Sequence, residues 1–183
     1  MPLFVPADSR EDAAGCFPAA LQLYNQEKSG RKNMKRRELR THIFELLFRV
    51  EFNDREEMPE QMRLFFESLP ELSPEDQAYM EEKYERIMEK LPEIDRLLGE
   101  TAEGWKVSRM GKADLAILRL AVYEMEFDED VPVGVAVNEA VELSKRFGGD
   151  GSPAFVNGVL GKIGKQEEKK SADSEKPEAG TAE

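Results

Sequence analysis

MGKADLAILRLAVYEMEF, residues 110–127, carries apolar side chains nearly all the way round a helical wheel. Leu115, Ala116, Ile117, Leu118, Leu120, Ala121, Val122 and Tyr123 leave no polar stripe wide enough to face water. The segment is therefore expected as a central, buried helix with others packed around it. No apolar run in the chain approaches the ~20 residues that span a bilayer.

Working back from this segment, residues 35–52 place Leu39, Ile43, Leu46, Leu47 and Val50 at helical spacing, and Asn53-Asp54 end the pattern. Pro59 opens a short helix with Met62, Phe65, Phe66 and Leu69 inward, and Pro70 stops it. Ser73-Pro74-Glu75-Asp76 combines an N-cap, a first-turn proline and first-turn acids. The third helix follows through Tyr79, Met80, Tyr84, Ile87, Met88 and Leu91. Pro92 is expected to break it and open a fourth, short helix with Ile94, Leu97 and Leu98, ending near Gly104. Trp105-Lys106-Val107-Ser108 reads as a junction. Working forward, residues 128–130 break the central helix, and Asp130 is a candidate N-cap for a sixth over 132–147. Gly148-Gly149 stops that helix, and Ser152-Pro153 opens a last one through Phe155, Val156, Val159, Leu160 and Ile163. Asn157-Gly158 resembles a hairpin turn, but no alternating runs flank it. The expectation is an all-α fold of about seven helices in two small sub-bundles.

Composition bounds the rest. The chain has 183 residues, with 38 acids against 26 bases, a net charge of −12 and a single Cys, His and Trp. One Cys forbids an intrachain disulfide framework and a Cys-based zinc site, and His42 alone cannot make a multi-His metal site. No cofactor is implied. No basic stretch precedes an apolar run in the manner of a secretory signal. The expected setting is cytoplasmic, reducing and away from membranes. Residues 1–33 have balanced charge, several Pro and Gly and no sustained periodicity, so they are expected to be disordered. Met34 opens the patterned region. Two readings stand: Met34 as the natural start, or residues 1–33 as a genuine N-terminal arm. Residues 166–183 hold six acids and three bases with no apolar side chain larger than Ala, a disordered tail by composition. Between them, residues 34–165 form one domain carrying −9.

Catalytic chemistry is hard to build here. The many acids read as solvated helix faces. His42 beside Glu45 lacks a placed nucleophile and an oxyanion hole, so a helical surface role is the simpler reading. Cys16 has no partner nearby in sequence. Residues 148–151 follow a helix rather than a strand and lack the Lys-Ser/Thr of a phosphate loop. One feature opposes the acidic average: Lys35-Arg36-Arg37-Glu38-Leu39-Arg40. Arg36, Arg37 and Arg40 share a helix flank about 100° from the Leu39/Ile43/Leu46 stripe, so all three are expected to point outward. A row of guanidiniums suits phosphate oxygens and base stacking in single-stranded RNA. A merely solvated flank remains the alternative on spacing alone.

Several stretches together resemble the NusB family of transcription antitermination factors. They are Arg36-Arg37-x-x-Arg40 leading into an amphipathic helix, ILRLAVYE at 117–124, Val131-Pro132 with AVNEAVELSKRFG at 136–148, and FVNGVL at 155–160. The last two are specific; the arginines alone are not, and residues 53–103 match mainly in helical pattern. The resemblance implies a non-enzymatic factor that binds boxA RNA of ribosomal RNA leaders together with ribosomal protein S10 (NusE), within the RNA polymerase antitermination complex. It places Arg36, Arg37 and Arg40, with Ser152 and Phe155, at the RNA. It makes Asp114 a candidate contact for NusE, as an exposed carboxylate facing a basic protein. Some relatives pair as homodimers and others are monomers. Gly134 stands where many relatives carry a longer, often basic, side chain, and 149–151 is glycine-rich where relatives often add an acid. FVNGVL also has a plain packing reading, with its aliphatics in the core, Phe155 shared between core and RNA, and Asn157-Gly158 allowing close helix approach.

Two other classes compete. An acidic helical adaptor without specific RNA binding would need a protein partner but show no sequence preference. A metal-dependent nuclease needs carboxylates converging in a pocket, which the pattern does not indicate. A fused nucleotide-binding αβ domain has no residues left to form it.

Overall fold

The computed structural model describes residues 33–102 and 106–174. Cys16, Trp105 and most of the two terminal segments lie outside the described residues. Among the described residues the secondary structure is six α-helices and one 3-10 turn, without a strand. They are α1 (Arg36–Val50), α2 (Met58–Ser68), α3 (Pro74–Thr101), the turn Val107–Arg109, α4 (Lys112–Glu126), α5 (Val133–Phe147) and α6 (Ser152–Ser174).

The all-helical expectation holds, with six helices in place of seven. The third and fourth expected helices are one: α3 runs 28 residues straight through Pro92, about 42 Å at the usual rise. Pro92 lies on the exposed side of the helix. Ile87, Ile94 and Leu98 are fully buried on the other side and hold the two halves in line against the core. The helix loses one hydrogen bond at Pro92, and the burial of residues before and after it outweighs the local break. The start of α3 is as the sequence indicates: Ser73 Oγ accepts from the Asp76 backbone N–H at 3.1 Å, with Pro74 in the first turn. Asp76 in turn accepts from the Met34 backbone N–H at 2.9 Å, tying the beginning of the patterned region to α3. Between α2 and α3 the chain reverses at Glu71, which has φ 58, left-handed for a residue with a Cβ.

Asp130 does not cap α5. Pro132 occupies that position, and Asp128 bonds the Asp130 backbone instead, so the acids make the turn before the helix. The last helix runs to Ser174, past the expected core end at 165.

Every residue of α4 from Leu115 to Glu124 is buried. The helix packs on α1 and α3 on one side and on α5 and α6 on the other. The two sub-bundles therefore share one continuous core, in which Ile43, Leu46, Met80, Ile87, Ile117, Leu118, Leu160 and Ile163 are almost wholly excluded from water. No helix among the described residues is long and apolar enough to cross a membrane.

Candidate nucleic-acid interface

The start of α1 carries the basic flank. Lys35 donates its backbone N–H to Glu38 Oε2 at 2.8 Å, closing the first turn. Arg36 and Arg37 are exposed. Arg40 is not: its side chain is 10% exposed and its Nε lies 2.9 Å from Glu124 Oε2. The expectation that all three arginines point outward fails at this position. The reason is the breadth of the buried face: Phe44 and Leu47, one and two turns beyond Arg40, are buried together with Leu39 and Ile43. Arg36, one turn earlier on the same flank, clears the end of the bundle.

Arg40 enters a chain of opposite charges. Glu124, almost wholly buried on α4, also accepts from Lys83 Nζ at 2.7 Å, and Lys83 reaches Asp128 Oδ2 at 3.0 Å. At the outer end, Arg40 Nη1 stands 3.6 Å from Glu139 Oε2. Glu139 also takes Arg37, whose Nη2 lies 2.6 Å from Oε1 and whose Nε lies 3.0 Å from Oε2. The hydrogen bond from Arg37 holds the Glu139 carboxyl below its ordinary range, against a smaller opposing effect of burial. Burial pulls Lys83 down, but Glu124, with help from Asp128, outweighs it and leaves the ammonium above its ordinary value.

A second cluster ties the end of α1 to α3 and α4. Arg119 pairs with Asp95 at 2.8 Å and with Glu51, and Lys112 reaches Glu51 at 2.7 Å. Asp114 sits beside it in the first turn of α4, where a carboxylate complements the helix dipole. It is half-buried rather than exposed as expected, on the turn where α4 passes from exposed Gly111 and Lys112 to buried Leu115. Its Oδ1 lies buried without a hydrogen-bond partner.

Ser152 also differs from expectation. It is buried, and its Oγ accepts from the Gly149 backbone N–H at 2.9 Å. The hydroxyl folds the loop 148–151 back onto the start of α6, leaving the loop's own backbone outermost. Gly148 is required there, since a Cβ on it would fall 2.4 Å from Ser152 Cβ and 2.7 Å from the Ser144 carbonyl oxygen. Phe155 is half-buried and packs against the core, as the shared role requires. Gly158 does not serve close helix packing: a Cβ there would meet nothing within 4 Å, and Asn157 is exposed. Gly134 is likewise open, so space does not explain its lack of a side chain.

His42 is half-buried, with Nδ1 2.9 Å from Glu45 and its ring edge-on to Phe65, a local contact at the bundle surface. Among the described residues no group of three or more His, Cys, Asp or Glu is placed to hold a metal. A groove of about 1630 Å³ between α2 and α3 is lined by Met58, Met62, Phe66, Tyr84 and Met88, and none of Arg36, Arg37, Arg40, Asp114, Ser152 and Phe155 borders it. The residue that sequence reading missed is Glu139. It lies 102 positions from Arg37, and only the packing of α5 beside α1 brings the two together.

Comparison with known proteins settles the family. Residues 37–165 match the NusB family. This chain belongs to the NusB family. The transcription antitermination protein NusB of Lachnoclostridium phytofermentans is 52% identical over 130 residues, covering 71% of this chain and 98% of that protein. The NusB protein of Agathobacter rectalis is 50% identical, covering 71% and 99%. Among solved structures, Thermotoga maritima NusB superposes with a TM-score of 0.65 at 33% identity, covering 76% of this chain and 99% of that one. A NusB chain crystallised with NusE and double-stranded RNA superposes at 0.60 with 22% identity, a likeness of fold alone. The NusB-family chain described here is accordingly a transcription antitermination factor and not an enzyme.

Proposed function

We propose that this NusB-family factor binds boxA RNA of ribosomal RNA leader transcripts jointly with NusE, as part of an RNA polymerase antitermination complex in the cytoplasm. The observation that carries this reading is the exposed pair Arg36 and Arg37, a basic patch on a chain of net charge −12. On this reading the two guanidiniums take phosphates, Phe155 offers part of its ring to a base, and Ser152 acts by shaping the loop 148–151 against the RNA. Arg40 supports the flank from behind. Asp114 is the candidate contact for NusE, its half-buried carboxylate setting negative charge at the start of α4 opposite a basic protein.

A patch this small neutralises few phosphates, so binding by the factor alone is weak and salt-sensitive. NusE enlarges the basic surface, and affinity rises by linkage. Fluorescence anisotropy with boxA and scrambled RNA, with and without NusE and at two salt concentrations, tests this. The expected result is tight binding that prefers boxA only when NusE is present. Equal binding to both RNAs, erased by salt and indifferent to NusE, would leave an acidic adaptor in its place. Sedimentation of the same samples reads whether the free protein is a monomer or a homodimer; a homodimer that covers the flank would weaken RNA binding as protein concentration rises.

A further inference from the structure

Arg37 and Arg40 share one carboxylate. Arg37 places Nη2 2.6 Å from Glu139 Oε1 and Nε 3.0 Å from Oε2, and Arg40 Nη1 stands 3.6 Å from the same Oε2. The two arginines differ in burial: the Arg37 side chain is 64% exposed and that of Arg40 only 10%. Six charges alternate along a chain that enters from solvent at Arg37, passes through Glu139 and Arg40 to buried Glu124 and Lys83, and comes out again at half-buried Asp128. We infer that Glu139 is a built-in anionic competitor that occupies the Arg37 fork in the free protein, and that an RNA phosphate displaces it there.

This inference rests on the RNA reading above and names the residue that sets its affinity. A carboxylate and a phosphodiester present similar paired oxygens to a guanidinium, so one can replace the other on the same fork. An exposed ion pair is worth little, so the exchange at Arg37 costs little. The displaced carboxylate is not orphaned, because Arg40 already stands beside it. The links from Arg40 through Glu124 to Lys83 are buried and cannot open in the same way, so exchange at this flank is confined to Arg37. Until it moves, Glu139 also sets a like charge beside any incoming phosphate, which penalises loose contact with every RNA.

The test is Glu139→Gln in the full chain, which keeps the shape and removes the charge. Anisotropy should show about three- to tenfold tighter binding to both boxA and scrambled RNA, and a log affinity against log salt slope steeper by about one. With Arg37→Ala already present, the gain should largely disappear. Glu142→Gln, one turn along α5 and outside the fork, should give less. If the wild type binds and Arg37→Ala weakens binding, but Glu139→Gln leaves affinity unchanged or lowers it, the competitor role is overturned. If the wild type binds no RNA with or without NusE and Arg36→Ala changes nothing, the RNA reading itself falls. Should the Gln variant fold poorly, the Arg37 Nε–H resonance of the wild type gives the same answer: it should shift on RNA addition, and an unmoved signal with RNA bound overturns the exchange.

Discussion

Arg36 and Arg40 occupy the same flank of α1, one turn apart, and do different work. Arg36 stands clear of the bundle, so Arg36→Ala should weaken RNA binding while moving stability by no more than about 0.5 kcal/mol. Arg40→Ala takes a guanidinium from Glu124, which stays buried with Lys83 as its remaining partner. Loss of one member of a buried ionic set costs about 3–5 kcal/mol, and urea denaturation of the two variants side by side measures the contrast. Roles exchanged between them, with a stable Arg40→Ala and an unfolded Arg36→Ala, would contradict the placement. Helical spacing showed that these arginines share a flank, but it could not show that the flank meets Glu124, 84 residues away. Periodicity reports which way a side chain faces on its own helix. It does not report how far a neighbouring helix reaches over it.

At the scale of elements, the signals that held were those completed within a few residues. Ser73 caps α3 through Asp76, and Gly148 ends α5 where the Gly-Gly pair indicates. Asp130 misled as a cap, and Pro92 misled more, because a proline's local effect was set against burial contributed by distant residues. Pro92 interrupts the hydrogen-bond ladder of α3 on its exposed side, so Pro92→Ala should stabilise the protein by about 1–3 kcal/mol. Thermal or urea unfolding measures it, and a destabilised variant would show that the ring has a packing role on that side. The loop before α6 was legible as a helix stop, but the inward turn of Ser152 was not, since it depends on the Gly149 N–H folding back over it.

At the scale of the molecule, a single core centred on α4 holds a small basic patch at the start of α1 and a half-buried, unpartnered carboxylate at the start of α4. These belong to different surfaces in the account given above, one for RNA and one for NusE, on a protein whose overall charge opposes nucleic acid. The family was readable because AVNEAVELSKRFG and FVNGVL are contiguous motifs; the site was only half readable because its polar residues are organised by contacts between helices. Hydrogen exchange of the full chain with boxA RNA alone, NusE alone and both together tests the division directly. The account predicts protection at residues 34–40 and 148–156 from RNA, protection around 110–115 from NusE, and both sets deepened in the ternary sample. RNA protection confined to the α2–α3 groove, or NusE protection centred on the arginine flank, would contradict it.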